Sequence, residues 1–207
     1  MTTKKIYVYP VWVRLWHVLN AVCFILLILT GMSLHFTTTE GNFIRFDISV
    51  AIHNVAAIII TFNYGYFVMG NIVSSNGKHY KNWRKNLATN LWRQGRFYAF
   101  GIFKKEPHPF PVSEDNKFNP LQKIAYVIVM YLGMPLLIIS GLGLLFPETI
   151  AYTVFGVSGL LLTDILHITM GFVLSLFLLI HIYLCTLGEK PLSLFKGMIN
   201  GYHDAHD

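Results

Sequence analysis

The chain has 207 residues, a mean hydropathy of +0.52, 54% apolar residues and only 13% charged ones. An ordinary soluble domain is about 25% charged, so the composition excludes that class and points to lipid as the solvent. The net charge of +6 is no sign of nucleic acid, because the cations are segregated by topology. The two cysteines, Cys23 and Cys185, lie in apolar runs and suggest neither a disulfide framework nor a zinc site.

Four apolar stretches, at about 11–36, 48–73, 121–146 and 159–187, can each cross a hydrocarbon core of ~30 Å, which takes about 20 residues. Backbone polar groups must be satisfied within lipid, so each stretch is predicted to be a helix. The expected fold is all-α: a four-helix integral membrane bundle forming a single membrane domain over 1–207. The first run follows basic residues, as in a signal peptide. It is nevertheless about 24 residues long without a small-residue cleavage site, and reads as a retained span.

The chain has 16 Lys and Arg residues, and 15 of them fall on one side of these spans. Lys4, Lys5 and Arg14 precede or open the first span. Lys78, Lys81, Arg84, Lys85, Arg93, Arg96, Lys104, Lys105 and Lys117 fill the loop 74–120, Lys123 opens the third span, and Lys190 and Lys196 follow the fourth. Arg45 alone lies opposite. The positive-inside rule therefore predicts cytoplasmic termini and a cytoplasmic middle loop. Within that loop, Trp83, Leu87, Leu91, Trp92, Phe97, Tyr98, Phe100 and Phe103 lie among the cations, which predicts an amphipathic helix in the inner interface over 80–103. No internal repeat is evident. The late residues His203 and His206 are expected in a mobile, solvated tail, and His79 and His108 in solvated loop.

Ionisable residues inside spans are costly and are functional candidates. From the direction of each span, His17 and His181 fall near the inner face, and His53 and His167 near the outer. His167 and His181 are 14 residues apart, so at 100° per residue they differ by about 40° and are separated by about 21 Å along one helix face. This suits two haems, one near each surface. Each would be clamped by one histidine of span four and one of span one or two, bis-His ligation that carries single electrons and leaves no site for oxygen. With no Cys-x-x-Cys-His, the haems are expected to be of b type. A zinc or copper site would need its ligands clustered. His35 is a rival to His53, more simply read as interfacial. Span three has no histidine and reads as a packing helix whose Gly133, Pro135, Gly141 and Gly143 fit close approach and a kink. By position, Arg14 is a candidate to neutralise a propionate at the inner haem and Arg45 at the outer. Asp164, one turn before His167, either orients an imidazole or is an interfacial carboxylate.

Arg14-Leu15-Trp16-His17, His53-Asn54-Val55-Ala56, the His167–His181 spacing and Lys117-Phe118-Asn119-Pro120-Leu121-Gln122-Lys123 together resemble the bacterial di-haem cytochrome b family. That family includes the b561-type cytochromes and the membrane subunits of nickel-iron hydrogenases, formate dehydrogenase and thiosulfate reductase. The resemblance covers essentially the whole chain. It implies a quinone site, of menaquinone or ubiquinone type, at the inner surface beside the inner haem, with Asn119 and Gln122 as candidate contacts. Asn119 before Pro120 also fits a helix N-cap. The resemblance further implies a periplasmic redox partner: a multihaem cytochrome c, an iron-sulfur or molybdenum subunit, or a hydrogenase.

The expected function is electron passage between quinone near the cytoplasmic side of a bacterial inner membrane and an outer partner, with no catalytic residue of the chain's own. The alternative is a stand-alone b561-type quinone oxidoreductase acting on a small outer-face redox substrate. A proton relay through the histidines would want carboxylates at mid-depth, and none is there.

Overall fold

The computed structural model describes residues 4–37, 43–81, 85–113, 116–187 and 192–205. Trp83, Arg84, Lys190 and His206 lie outside the described residues. In chain order the elements are strand β1 (Lys4–Tyr7), α1 (Val11–His35), α2 (Phe46–Val73), α3 (Lys78–Lys81), α4 (Leu87–Arg96), α5 (Pro120–Ile128), α6 (Met134–Leu145), strands β2 (Thr153–Val154) and β3 (Val157–Ser158), α7 (Gly159–Thr186), α8 (Ser193–Asn200) and strand β4 (Tyr202–Ala205).

Four helical stretches are long and apolar enough to span a membrane: Val11–His35, Phe46–Val73, Pro120–Leu145 and Gly159–Thr186. They agree with the predicted spans to within one or two residues at each end, because a run of ~20 apolar residues in lipid has only the helix open to it. The third is not uniform. A π-helical turn at Val129–Gly133 joins α5 to α6, and Pro135 follows at the second position of α6, where it removes a backbone donor. These irregularities fall at Gly133 and Pro135, where the sequence suggested a departure from a straight helix.

Contacts divide the chain into two units. One comprises Met1–Arg14, Met69–Tyr131 and Leu179–Asp207, and the other Leu15–Val68 and Leu132–Leu178. In the first, β1 pairs antiparallel with β4, Lys4 opposite Ala205 and Tyr7 opposite Tyr202. The two ends of the chain are therefore on the same side, as four crossings require. The pairing corrects the expectation of a mobile tail. α8 ends on Gly201 with φ of 89°, a left-handed turn that favours glycine, and this returns the chain toward β1, where Val8 N and Tyr9 N both donate to Gly201 O.

The loop helix expected over 80–103 is interrupted. α3 ends at Lys81, and α4 begins after Asn86, whose φ of 57° is incompatible with a continuing helix. From α4 the chain runs into a π-helical turn at Phe97–Gly101. Its covered side carries Gln94, Phe97 and Gly101, while Trp92, Phe100 and Phe103 are exposed. That exposed aromatic side with its cations is what an interfacial segment needs.

In the second unit the Trp16 ring packs on Phe67 at 4.5 Å, and Asn63 Nδ2 donates to Trp16 O at 3.1 Å. Cys23, Ala56, Ile60 and Leu174 are buried with them, which places Cys23 in packing. On the segment 146–159, β2 and β3 form a two-pair hairpin.

Candidate metal centre

His53 on α2 and His167 on α7 lie in the same unit and face one another, with ring centres 6.3 Å apart and planes at 70°. A metal–imidazole nitrogen bond is ~2.0 Å long and the ring centre lies ~1.1 Å behind that nitrogen, so two imidazoles on opposite sides of one metal ion hold their ring centres ~6.2 Å apart. The observed gap accommodates that geometry, and it is also the separation of an edge-on ring pair.

A hydroxyl meets the Nδ1 of each ring. Thr30 Oγ1, on α1, lies 2.9 Å from His53 Nδ1 and donates its own proton to Leu26 O at 2.6 Å. A hydroxyl has one proton. That proton is spent on the carbonyl one turn back, so the oxygen accepts from the imidazole and the proton of His53 sits on Nδ1. Ser140 on α6 repeats the arrangement. Its Oγ lies 3.1 Å from His167 Nδ1 and donates to Leu136 O at 2.7 Å. Both histidines are thereby held as the tautomer whose Nε2 carries a free lone pair, the nitrogen that binds iron when the second ring nitrogen is anchored.

Each hydroxyl is followed by a glycine against the same ring. A Cβ on Gly31 would stand 3.5 Å from His53 Cε1, and a Cβ on Gly141 would stand 3.0 Å from His167 Cε1. Thr30-Gly31 and Ser140-Gly141 are thus matching clamps, one on the helix before each ligand. Neither hydroxyl was legible as a site residue, and span three, read as a packing helix, supplies one of them.

His35 is exposed and lies edge-on to Phe36 at 4.8 Å, so it is set aside as a ligand in favour of His53. Asp164 is exposed, and the group on Nδ1 of His167 is Ser140. Arg45 has a partner of its own. Its guanidinium donates to both oxygens of Asp47, at 2.8 and 3.2 Å, in an exposed pair. Asp47 belongs to the first turn of α2, where a carboxylate is favoured by the helix dipole, and it claims the cation two residues away.

His17 and His181 belong to different units and each is described in its own. Trp16 Nε1 and Asn20 Oδ1, close to His17 on α1, are buried with no partner in the protein. A buried donor or acceptor left so costs about 1–3 kcal/mol, which marks a place where a further group belongs. Arg14 Nε is likewise buried and unpartnered, while its Nη1 donates to Ile199 O on α8. Part of the cation expected for a propionate is therefore spent on closing a helix end. His181 Nδ1 lies 3.5 Å from Tyr126 Oη, and its ring lies 6.0 Å from that of Tyr126.

Asn119 and Gln122 form a capping box. Gln122 N donates to Asn119 Oδ1 at 2.9 Å, and Asn119 N donates to Gln122 Oε1 at 3.2 Å. With Pro120 at the first helical position, this starts α5 firmly. Asn119 Nδ2 donates to Tyr98 Oη at 2.8 Å, so Tyr98 accepts there and keeps its own proton to give. Burial raises the Tyr98 pKa, opposed by the hydrogen bond from Asn119.

A sequence model of the prokaryotic cytochrome b561 type matches residues 8–201. The chain belongs to the prokaryotic cytochrome b561 family. It is 40% identical over 200 residues to the protein YdhU of Escherichia coli (strain K12), named as a cytochrome, and the alignment covers 97% of this chain and 75% of that one. As a b561-type cytochrome the chain is a multi-pass bacterial membrane protein that binds haem b and serves electron transfer. Haem b supplies an iron that cycles by one electron between bound states, and the paired, tautomer-fixed His53 and His167 fit that group.

The clamp makes a prediction for this cytochrome. If His167 holds the haem iron, Ser140→Ala removes its side-chain acceptor, the imidazole becomes a weaker donor, and haem retention is expected to fall about 10- to 100-fold. The midpoint potential of that haem rises, because the weaker donor stabilises the ferric state less. Haem loss to an apoprotein acceptor and an optical redox titration measure both effects, and Ser140→Thr restores them.

Proposed function

We propose that this cytochrome holds two b-type haems, one between His53 and His167 and one between His17 and His181. In this reading it passes electrons across the membrane between quinone and a redox subunit on the outer face. The observation that carries the reading is the matched pair of imidazoles, 6.3 Å apart between ring centres and each met by a hydroxyl at Nδ1. The 14-residue spacing of His167 and His181 on one helix supports the second haem, at about 21 Å along the axis.

The termini and the loop 74–120 are cytoplasmic in this reading, supported by the distribution of Lys and Arg and by the pairing of the two ends. Quinone binds on that side, near Tyr98 and Asn119. The capping box leaves Asn119 to orient Tyr98, and the Tyr98 hydroxyl donates to a quinone oxygen. An outer partner, a multihaem cytochrome c, iron-sulfur, molybdenum or hydrogenase subunit, meets the exposed ends of α1, α2, α6 and α7 and exchanges electrons with the His53–His167 haem. Arg14 Nε remains available to an inner propionate.

The test is haem stoichiometry by pyridine haemochrome, joined to reduction of the purified protein by a soluble quinol. Two b-type haems per chain, both reduced by quinol, is the expected result. One haem, or reduction by dithionite alone, would remove the conduit or the quinone from the reading respectively.

A further inference from the structure

Lys117 is a buried cation that the electron path does not use. It is 4% exposed and lies just before α5. Its Nζ donates to Asn76 Oδ1 at 3.2 Å, and Asn76 is fixed in turn by donating from Nδ2 to Asn71 Oδ1 at 2.7 Å. The ammonium lies 4.6 Å from the centre of the Tyr9 ring and 5.7 Å from that of Phe118. Aromatic faces attract a cation at such distances but hydrate it poorly. Among the described residues no carboxylate lies within ion-pair distance of it. Burial accordingly pushes its pKa down to about 8, so the charged and neutral amine are close in free energy at cellular pH.

From this amine a run of rings leads to a predicted iron ligand. Phe118 meets Tyr126 edge-on at 5.0 Å, and Tyr126 meets His181 at 6.0 Å. All of these residues lie in one unit. Two rings, with no charge among them, separate the amine from His181, and a charge in so apolar a setting is weakly screened.

We propose that Lys117 takes up a proton when the iron bound by His181 is reduced and releases it when that iron is oxidised. The inference rests on the proposed assignment of His181 as a haem ligand. The balance is simple. Ferric iron gains one electron from quinol or from the outer partner, and the neutral amine gains one proton from the aqueous phase on the side of the termini. Reduction lowers the local charge by one and protonation restores it. The coupling is reciprocal, because an ammonium that favours ferrous iron is itself favoured by ferrous iron.

The other titratable groups around this pocket are Tyr9 from the N-terminal segment, His79 and Tyr80 from α3, Lys123 and Tyr126 from α5, and Cys185 from α7. Tyr9 is pushed up to about 12 and Tyr80 is also raised, both by burial, so neither changes charge between pH 7 and 9. The His79 ring lies 6.3 Å from that of Phe118. Cys185 is the group to control, since its Sγ lies 3.9 Å from His181 Nε2.

The experiment is an optical redox titration of both haems from about pH 6.5 to 9.5, in wild type, Lys117→Met, Lys117→Arg and Cys185→Ser. In wild type the midpoint of one haem is expected to fall with rising pH across about pH 8. In Lys117→Met that midpoint is lower and flat, with haem content unchanged. In Lys117→Arg, which cannot lose its proton in this range, it is flat and high, and Cys185→Ser keeps the wild-type slope. A flat wild-type profile, or a slope that survives in Lys117→Arg, overturns the proposal. Wild type and Lys117→Arg decide the matter even where Lys117→Met fails to assemble. A wild type without haem would defeat the proposed function instead, and is a separate result from two haems with no slope.

Discussion

Purified His167→Ala is expected to carry one haem per chain in place of two, and His181→Ala the other one, with the double variant carrying none. Both ligands lie on α7, so one helix contributes to each haem. They share a face about 40° wide at a separation of about 21 Å, so removing one imidazole leaves the other in place. The two single variants should therefore differ in spectrum and midpoint although their haem content is equal. Quinol should still reduce the haem left in His167→Ala, which is the inner one, and should fail to reduce the haem left in His181→Ala at a comparable rate. Pyridine haemochrome, redox titration and stopped-flow reduction check the three parts. Identical spectra and midpoints in the two variants, or loss of both haems from either, would break the assignment of one ligand to each surface.

Most of this site was legible because lipid makes it so. Four runs of ~20 apolar residues admit only helices, and an imidazole inside such a run is expensive enough to need a reason. The clamps were not legible, for an equally physical cause. Thr30 and Ser140 donate to the carbonyl one turn back, and so do Thr61, Thr163 and Ser175. In sequence the five are alike, and only the imidazole beyond each oxygen separates the first two from the rest. The small side chain that follows each, Gly31 and Gly141, is equally common in packed membrane helices. At Arg45 the pairing with Asp47 went unread. Its position suited a propionate, but Asp47 two residues on already supplied a carboxylate. In Asn119 the two readings met. The capping box was foreseeable from Asn-Pro-x-Gln, whereas the reach of Nδ2 to Tyr98 depends on α4 packing against α5. The interruption of the loop helix at Asn86 had no strong signal, since asparagine tolerates left-handed and helical backbone alike.

The two glycines separate space from chemistry. Gly141→Val is expected to expel the haem held by His53 and His167 although both ligands are intact, leaving about one haem per chain. A Cβ at position 141 would already stand 3.0 Å from His167 Cε1, tighter than ordinary van der Waals contact, and valine adds two methyl groups in a helix rotamer that cannot turn them all away. The ring cannot retreat freely, because Ser140 holds its Nδ1 at 3.1 Å and, in the proposed function, iron would hold it on the other side. Overpacking of this kind costs about 1–3 kcal/mol where the neighbours can shift. Here the shift would turn the imidazole away from the iron that the proposed function assigns to it, so the cost would appear as lost haem. Gly31→Ala is the internal control, since its Cβ would stand 3.5 Å from His53 Cε1, an ordinary contact, and should leave about two haems with a nearly unchanged spectrum. Haem content normalised to protein, with thermal unfolding in detergent to confirm folding, measures both. A Gly141→Val variant with two haems and a wild-type spectrum would mean that the helix carrying Ser140 does not hold His167 in place, and that the matched clamps are a coincidence of packing.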